Sequence, residues 1–202
     1  MLAAIVLAAG ASERMGGHPK ALLTWHGEAF LSGILKACFA AGIERRVAVL
    51  GPHADQILER LVLDDVTVVH STDLDAGPIG SIRTAIASVA RHPVSGILVW
   101  PVDRPHVRVA TIEALCAAMT AHAQPIILPR HQGRRGHPVI FRRELFDELL
   151  AVANDEGART VVRRDPARVF AVDVRDPAVV QDVNTPDEYQ ALVRRADVRD
   201  DA

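Results

Sequence analysis

Short runs of Val, Ile and Leu alternate along this chain with segments of helical period. This alternation constrains the fold most, because strand-helix-strand units feed a largely parallel sheet. The strand-like runs fall near Ala3 to Leu7, Arg46 to Leu50, Val66 to His70, Ile97 to Val102, Ile126 to Leu128, Val139 to Phe141 and Val169 to Val172. Between them, Leu31, Ile34, Leu35, Cys38 and Phe39 follow the i, i+3, i+4, i+7, i+8 stripe of an amphipathic helix, and Gly42 stands where a glycine would stop it. Ile112, Leu115, Cys116 and Met119 repeat the stripe. A last helix opens on Thr185, Pro186, Asp187 and Glu188, a capping box with proline at the first helical position.

Size and charge narrow the class. A chain of 202 residues is one ordinary domain, expected over 1–195 with a polar tail at 196–202 that frays. Hydrophobic residues at 49% and charged residues at 24% exclude disorder, collagen-like repeats and a coiled coil. Lys and Arg number 23 against 25 Asp and Glu, a net charge of -2, so the basic surface that a nucleic-acid partner requires is not expected. Cys38 and Cys116 are the only cysteines and sit at apolar helical positions, which points to a reducing intracellular compartment. The apolar start from Met1 to Ala11 lacks the basic region of a secretory leader, and no run approaches the roughly 20 apolar residues that cross a bilayer. A cytoplasmic protein without a membrane partner is expected.

The segment from Leu7 to Lys20 leaves the first strand through small residues, Ala8, Ala9, Gly10, Ala11 and Ser12, and reaches the cations Arg14 and Lys20. In open α/β sheets ligands bind beyond the carboxyl ends of strands, and small residues let backbone N–H groups approach phosphate oxygens. The segment therefore suits a nucleoside triphosphate, with a plain glycine-rich connection as the alternative. It is neither a dinucleotide fingerprint, since Ser12 stands where the second glycine belongs, nor a P-loop, since His18 follows Gly17. A nucleophile elbow on Ser12 fails because Arg14 replaces its second glycine. Only Lys20 and Lys36 among the basic residues are lysines. A lysine in the loop thus agrees with a demand for a compact point charge.

Other positions leave two readings open. Asp103 ends an apolar run and suits a hard cation at a strand end, or a turn or helix cap. Asp182 precedes the capped helix and reads equally as a loop aspartate. Gly77 to Arg83 joins a strand to a helix, with Ser81 as a candidate N-cap. Arg134 and Arg135 between Gly133 and Gly136 suit an anionic substrate or a solvated hairpin turn. The nine histidines show no His-Glu-x-x-His spacing, and no cysteine pair suggests zinc.

The run LAAGASERMGGHPK resembles the signature loop of nucleotidyltransferases of the MobA-like family, Leu-x-x-Gly-x-Ser/Thr-x-Arg-Met-Gly followed shortly by Lys. Pro101 to Pro105 resembles that family's metal-aspartate segment, and Asp182 to Pro186 its closing segment, with Asn184 where many relatives carry aspartate. The stretches Gly133 to Val139 and Asp155 to Arg159 resemble the MocA-like subgroup of molybdenum cofactor cytidylyltransferases.

The resemblance implies a Rossmann-like three-layer α/β/α nucleotidyltransferase fold with a mostly parallel mixed sheet. It implies a nucleotide site at Leu7, Ala8, Ala9, Gly10, Ser12, Arg14, Lys20, Gly80 and Ser81, with Arg14, Lys20 and Asp103 in the catalytic role. It also implies Mg²⁺, or Mn²⁺ in its place, on Asp103 and Asp182, and acceptor contacts from Arg135, Gly136 and His137. The activity implied is CTP:molybdopterin cytidylyl transfer with release of pyrophosphate, since cytidylyl members carry alanine near Ala8-Ala9 where guanylyl members carry glycine. A molybdenum hydroxylase apoenzyme would be the downstream partner. The alternatives are guanylyl transfer to molybdopterin, nucleotidyl transfer to a sugar or alcohol phosphate, and a nucleotide-binding cofactor chaperone without turnover.

Overall fold

A computed structural model describes residues 1–71, 73 and 75–200, with side chains to 195. The chain runs through β1 (Leu2–Ala8), a hairpin of β2 (Thr24–Trp25) and β3 (Glu28–Ala29), α1 (Phe30–Ala40), β4 (Arg45–Leu50), α2 (Ala54–Arg60), β5 (Thr67–His70) and α3 (Pro78–Val89). It continues through β6 (Gly96–Pro101), α4 (Val109–Ala121), β7 (Ile126–His131), β8 (Arg134–Arg135), β9 (Val139–Arg142), α5 (Phe146–Ala151), α6 (Ala158–Arg164), β10 (Val169–Asp173) and α7 (Pro186–Asp200).

The main sheet has the order β10-β7-β9-β6-β1-β4-β5, with β8 paired to β7. Its strands pair in parallel except at β9, which is antiparallel to β6 and β7, and at β8. The sheet is largely parallel, as the alternation of runs implied, and mixed, as the resemblance implied. The central strand β1 is covered on both sides and is apolar without interruption, as a strand buried on both faces must be. Ala4, Val6 and Ala8 pack into one layer with α1, α2, α4 and α7, while Ala3 and Ile5 pack into the other with α3, α5 and α6. The apolar start of the chain is thus the middle of the sheet. No described helix is long and apolar enough to cross a membrane.

Topology locates the site. After β1 the chain goes outward to β4 and β5, then returns to the other side of β1 as β6. The crevice beyond the carboxyl ends of β1, β4 and β6 is therefore the switch point at which such sheets bind ligands.

Two local expectations are corrected. Phe39 lies on the exposed side of α1, 57% accessible, because it is turned about 100° from the buried Cys38 at 3.6 residues per turn. Its ring is instead covered by the Arg46 guanidinium at 4.8 Å. Ser81 does not cap α3: Gly77 holds the N-cap position, and the buried Ser81 hydroxyl donates inside the fold to Ser71 Oγ at 3.3 Å. Within the segment expected as a polar tail, 196–200 continue the backbone of α7, and 201–202 lie outside the described residues.

Candidate active site

A cavity of about 610 Å³ opens at the switch point. Its walls are Leu7 to Arg14 from the end of β1, Pro19 to Ala21, Pro52 after β4, Gly77, Pro78 and Ser81 at the start of α3, and Pro101 to Asp103 after β6. Asn184 closes it from the segment before α7. The volume is in the range of small-molecule and cofactor sites.

The loop after β1 is folded upon itself. Ser12 adopts a left-handed φ of 55°, and its carbonyl accepts from Met15 N at 2.8 Å and Gly17 N at 3.2 Å. Its hydroxyl accepts from Lys20 N at 3.3 Å, which ties the two ends of the loop together. Arg14 and Lys20 are thereby aimed at one acceptor: Asn184 Oδ1 receives Arg14 Nη2 at 3.1 Å and Lys20 Nζ at 2.5 Å. The amide nitrogen of Asn184 donates in turn to Asp182 Oδ2 at 2.7 Å. The capping box expected at α7 holds this segment, since Glu188 Oε2 accepts from Asn184 N at 2.7 Å and Thr185 N at 2.9 Å. Thr185 Oγ1 accepts from Glu188 N at 3.3 Å, completing the box.

Asp103 stands at the end of β6 because Trp100, fully buried, donates its indole N–H to Arg104 O at 3.0 Å and fixes the turn. Val183 N donates to Asp103 O at 2.8 Å, which brings the Asp182 segment alongside. Lys20 Nζ lies 3.9 Å from Asp103 Oδ2. Arg104 lies between the aspartates, with Nε 3.8 Å from Asp103 Oδ1 and Nη2 4.0 Å from Asp182 Oδ2. Burial raises the Asp103 carboxyl above its ordinary value against the pull of Lys20 and Arg104, and burial lowers the Lys20 ammonium.

Asp103 Oδ1 is buried without a hydrogen-bond partner. An orphaned carboxylate oxygen, in a carboxylate that also feels the charge of Asp182, suits a hard divalent cation as ligand. Asp103 and Asp182 therefore fit Mg²⁺ or Mn²⁺, with the remaining coordination left to phosphate and water. No cluster of three or more His, Cys, Asp and Glu suited to a metal occurs among the described residues.

The distal positions are placed differently. Gly80 does not line the cavity; a Cβ there would come within 2.4 Å of Asp73 O, so the glycine serves the packing of α3 on the preceding loop. Gly136 is likewise a packing glycine, since a Cβ would meet Val179 O at 2.2 Å. Arg134 and Arg135 form the exposed strand β8 of a hairpin, paired with His131 and Arg130, and neither lines the cavity. His137 lies close enough to feel Arg104 and Asp182, and burial pushes its imidazole down to about 4, so it is neutral near pH 7. The residues that sequence reasoning under-read are Asn184, which takes a central position, and Arg104. The only local signal for Arg104 was its place directly after a strand-end aspartate.

Residues 4–169 match the MobA-like NTP transferase domain. Nicotine blue oxidoreductase of Paenarthrobacter nicotinovorans is 31% identical over 200 residues, 94% of this chain and 95% of that protein. A molybdenum cofactor guanylyltransferase of Mesorhizobium japonicum is 32% identical over 164 residues, 79% of this chain and 76% of its own length. Among solved structures, Rv0371c from Mycobacterium tuberculosis H37Rv is similar with a TM-score of 0.80 at 32% identity, covering 96% of this chain and 97% of that one. Rv0371c has also been seen in complex with manganese.

Proposed function

This chain belongs to the MobA-like NTP transferase family, and on that footing we propose that it transfers a cytidylyl group from CTP to the terminal phosphate of a molybdopterin-type cofactor. A phosphate oxygen of the acceptor attacks the α-phosphorus of CTP, a new P–O bond forms, the bond to the β-phosphate oxygen breaks, and pyrophosphate leaves. The nucleophile is already ionised near neutral pH, so the site needs no general base. Positioning and charge neutralisation carry the catalysis.

The observation that carries this reading is the convergence of Arg14 and Lys20 on Asn184 beside Asp103, at the rim of a cavity walled by small residues. On binding, the two cations exchange the amide oxygen of Asn184 for phosphate oxygens and stabilise the departing pyrophosphate. Asp103 and Asp182 would hold Mg²⁺ or Mn²⁺, which supplies charge neutralisation on the phosphates. The manganese complex of Rv0371c supports a divalent ion in this family. Buried Ala9 and Ala8 narrow the wall beside the base and favour a pyrimidine, although several curated relatives are named guanylyltransferases. Arg135 and His137 face the acceptor side in this reading, and a molybdenum hydroxylase apoenzyme in the cytoplasm receives the product.

The test is pyrophosphate release from each of the four NTPs with Mg²⁺ and molybdopterin. Release greatest with CTP is expected. Preference for GTP would reassign the base, release with sugar or alcohol phosphates would reassign the acceptor, and tight nucleotide binding without release would indicate a carrier. The oxidoreductase name of one relative sets a further outcome: nicotinamide-dependent reduction without pyrophosphate release would replace the reading. The loop lacks the second glycine of a dinucleotide fingerprint, which argues against it.

A further inference from the structure

The loop after β1 is held from outside itself at one carbonyl. His53, the residue before α2, places its ring Nε2 3.0 Å from Ala11 O. A carbonyl oxygen only accepts, so Nε2 carries the proton and donates. The two segments meet closely. A Cβ on Gly51 would collide with Ala9 O, so the turn after β4 lies backbone to backbone against the loop after β1. His53 is anchored in turn by its own helix: its carbonyl accepts from Ile57 N at 3.0 Å, and Ile57 is fully buried. Ala11 and Pro52 line the cavity and His53 does not, so the imidazole draws the Ala11 carbonyl away from the cavity.

The peptide plane carries that orientation one atom further. The Ala11–Ser12 bond is trans, and across a trans peptide the N–H points opposite to the C=O. With its carbonyl turned to His53, this peptide directs the Ser12 N–H to the cavity side. Ser12, Glu13 and Arg14 all line the cavity, and their backbone N–H groups donate to no partner among the described residues. Ser12 is left-handed, with φ 55°, and Glu13 to Met15 continue as a short right-handed turn. Such a succession of conformations points neighbouring N–H groups into one concavity suited to an anion. We propose that His53 is a positioning residue whose bond to Ala11 O sets the Ser12 N–H as the first donor of a backbone nest for the triphosphate. This rests on the reading of the loop after β1 as the nucleotide site, and it adds neutral donors to the charges of Arg14 and Lys20. It does not depend on which base or acceptor the site takes.

The probe is inorganic tripolyphosphate, which carries the charge of a triphosphate without a base. Its binding to the full chain is followed by titration calorimetry and heteronuclear NMR for wild type, His53→Ala and His53→Gln. In wild type the Ser12 amide proton should move downfield on saturation, as a donor to a charged acceptor does. His53→Ala should weaken tripolyphosphate about fivefold, the scale of one hydrogen bond, and lose most of the Ser12 shift. His53→Gln, whose amide nitrogen donates from about the same reach as Nε2, should stay within about twofold of wild type. A Ser12 amide indifferent to tripolyphosphate, unchanged affinity in His53→Ala, or His53→Gln as weak as His53→Ala would each overturn the proposal. If His53→Ala fails to fold, His53→Phe, which keeps a ring but donates nothing, takes its place. The two levels separate cleanly. Tripolyphosphate that does not bind wild type removes the nucleotide site and the proposal with it. Binding that shifts Ser12, without pyrophosphate release from any NTP, removes the transfer reaction and leaves the role of His53 standing.

Discussion

The two halves of the site are built differently. At the switch point, residues far apart in the chain are joined by side-chain bonds: Arg14 and Lys20 meet Asn184, which meets Asp182. On the distal side, Arg134 and Arg135 stand on an exposed two-residue strand, and of that hairpin's arginines Arg130 is the one engaged, in a paired bond to Asp173 with both contacts at 2.7 Å. A preassembled grip loses little further entropy when phosphate binds, whereas free arginines must be ordered by whatever they hold. In the proposed function the triphosphate falls to the rigid part and the variable acceptor to the hairpin, whose Arg134 and Arg135 have no side-chain partner among the described residues.

The largest effect is expected at the rigid half. Asp103→Asn should lower kcat on the order of a hundredfold or more, the scale of removing one preorganised electrostatic group. Its thermal midpoint should hold or rise, because an acid whose folded-state pKa is raised by burial costs the folded protein stability above that pKa. Steady-state kinetics beside a melting curve check both, and near-normal turnover at saturating Mg²⁺ would remove Asp103 from the site.

Next comes Asn184→Ala, which releases Arg14 and Lys20 from their common acceptor. It should lower kcat/KM for CTP about tenfold, roughly 1.4 kcal/mol, with acceptor KM little changed. A variant indistinguishable from wild type would show that the preassembled contact is not used.

Arg135→Ala tests the other half. Acceptor kcat/KM should fall about fivefold while CTP affinity stays within about twofold, since a planar fork on phosphate has no substitute in alanine. Titration calorimetry with CTP and kinetics in the acceptor separate the halves. A tenfold loss of CTP affinity with the acceptor spared would reverse the assignment.

The smallest effect belongs to a pair outside both halves. Glu148 accepts from Arg168 and pairs with Arg164 at 2.8 Å, and the Arg168 hydrogen bond holds its carboxyl below the ordinary value. A depressed acid stabilises the fold above its unfolded pKa, and that contribution fades as pH falls through the folded value. Glu148→Gln should therefore cost less than about 1 kcal/mol near neutral pH, read as a shift in thermal midpoint that closes on acidification, with turnover unchanged.

The same contrast explains what was legible in the sequence. β1, β6 and the loop to Lys20 were readable because a buried strand followed by small residues and cations is a local pattern. Asp103 was readable from its place at the end of such a strand. Asn184 reads in the sequence only as a departure from aspartate in the closing segment, just before α7. Its contacts to Arg14 and Lys20 span 170 and 164 residues, and no local pattern reports them. Gly80 and Gly136 carried a glycine's ambiguity: close approach to a ligand and close approach to another backbone, here Asp73 and Val179, require the same residue. α2, α5 and α6, each seven residues or fewer, were too short to show a helical stripe, and the β2–β3 hairpin has two-residue strands that show no alternation.

The most direct measurement is the mass of the acceptor after a single turnover. With CTP, Mg²⁺ and a molybdopterin-type acceptor, the division of the site into a nucleotide half and an acceptor half requires the acceptor to gain one cytidine monophosphate unit for each pyrophosphate released, and Asp103→Asn to yield neither. Pyrophosphate without a heavier acceptor, or a chemically altered acceptor without pyrophosphate, would contradict nucleotidyl transfer at this site.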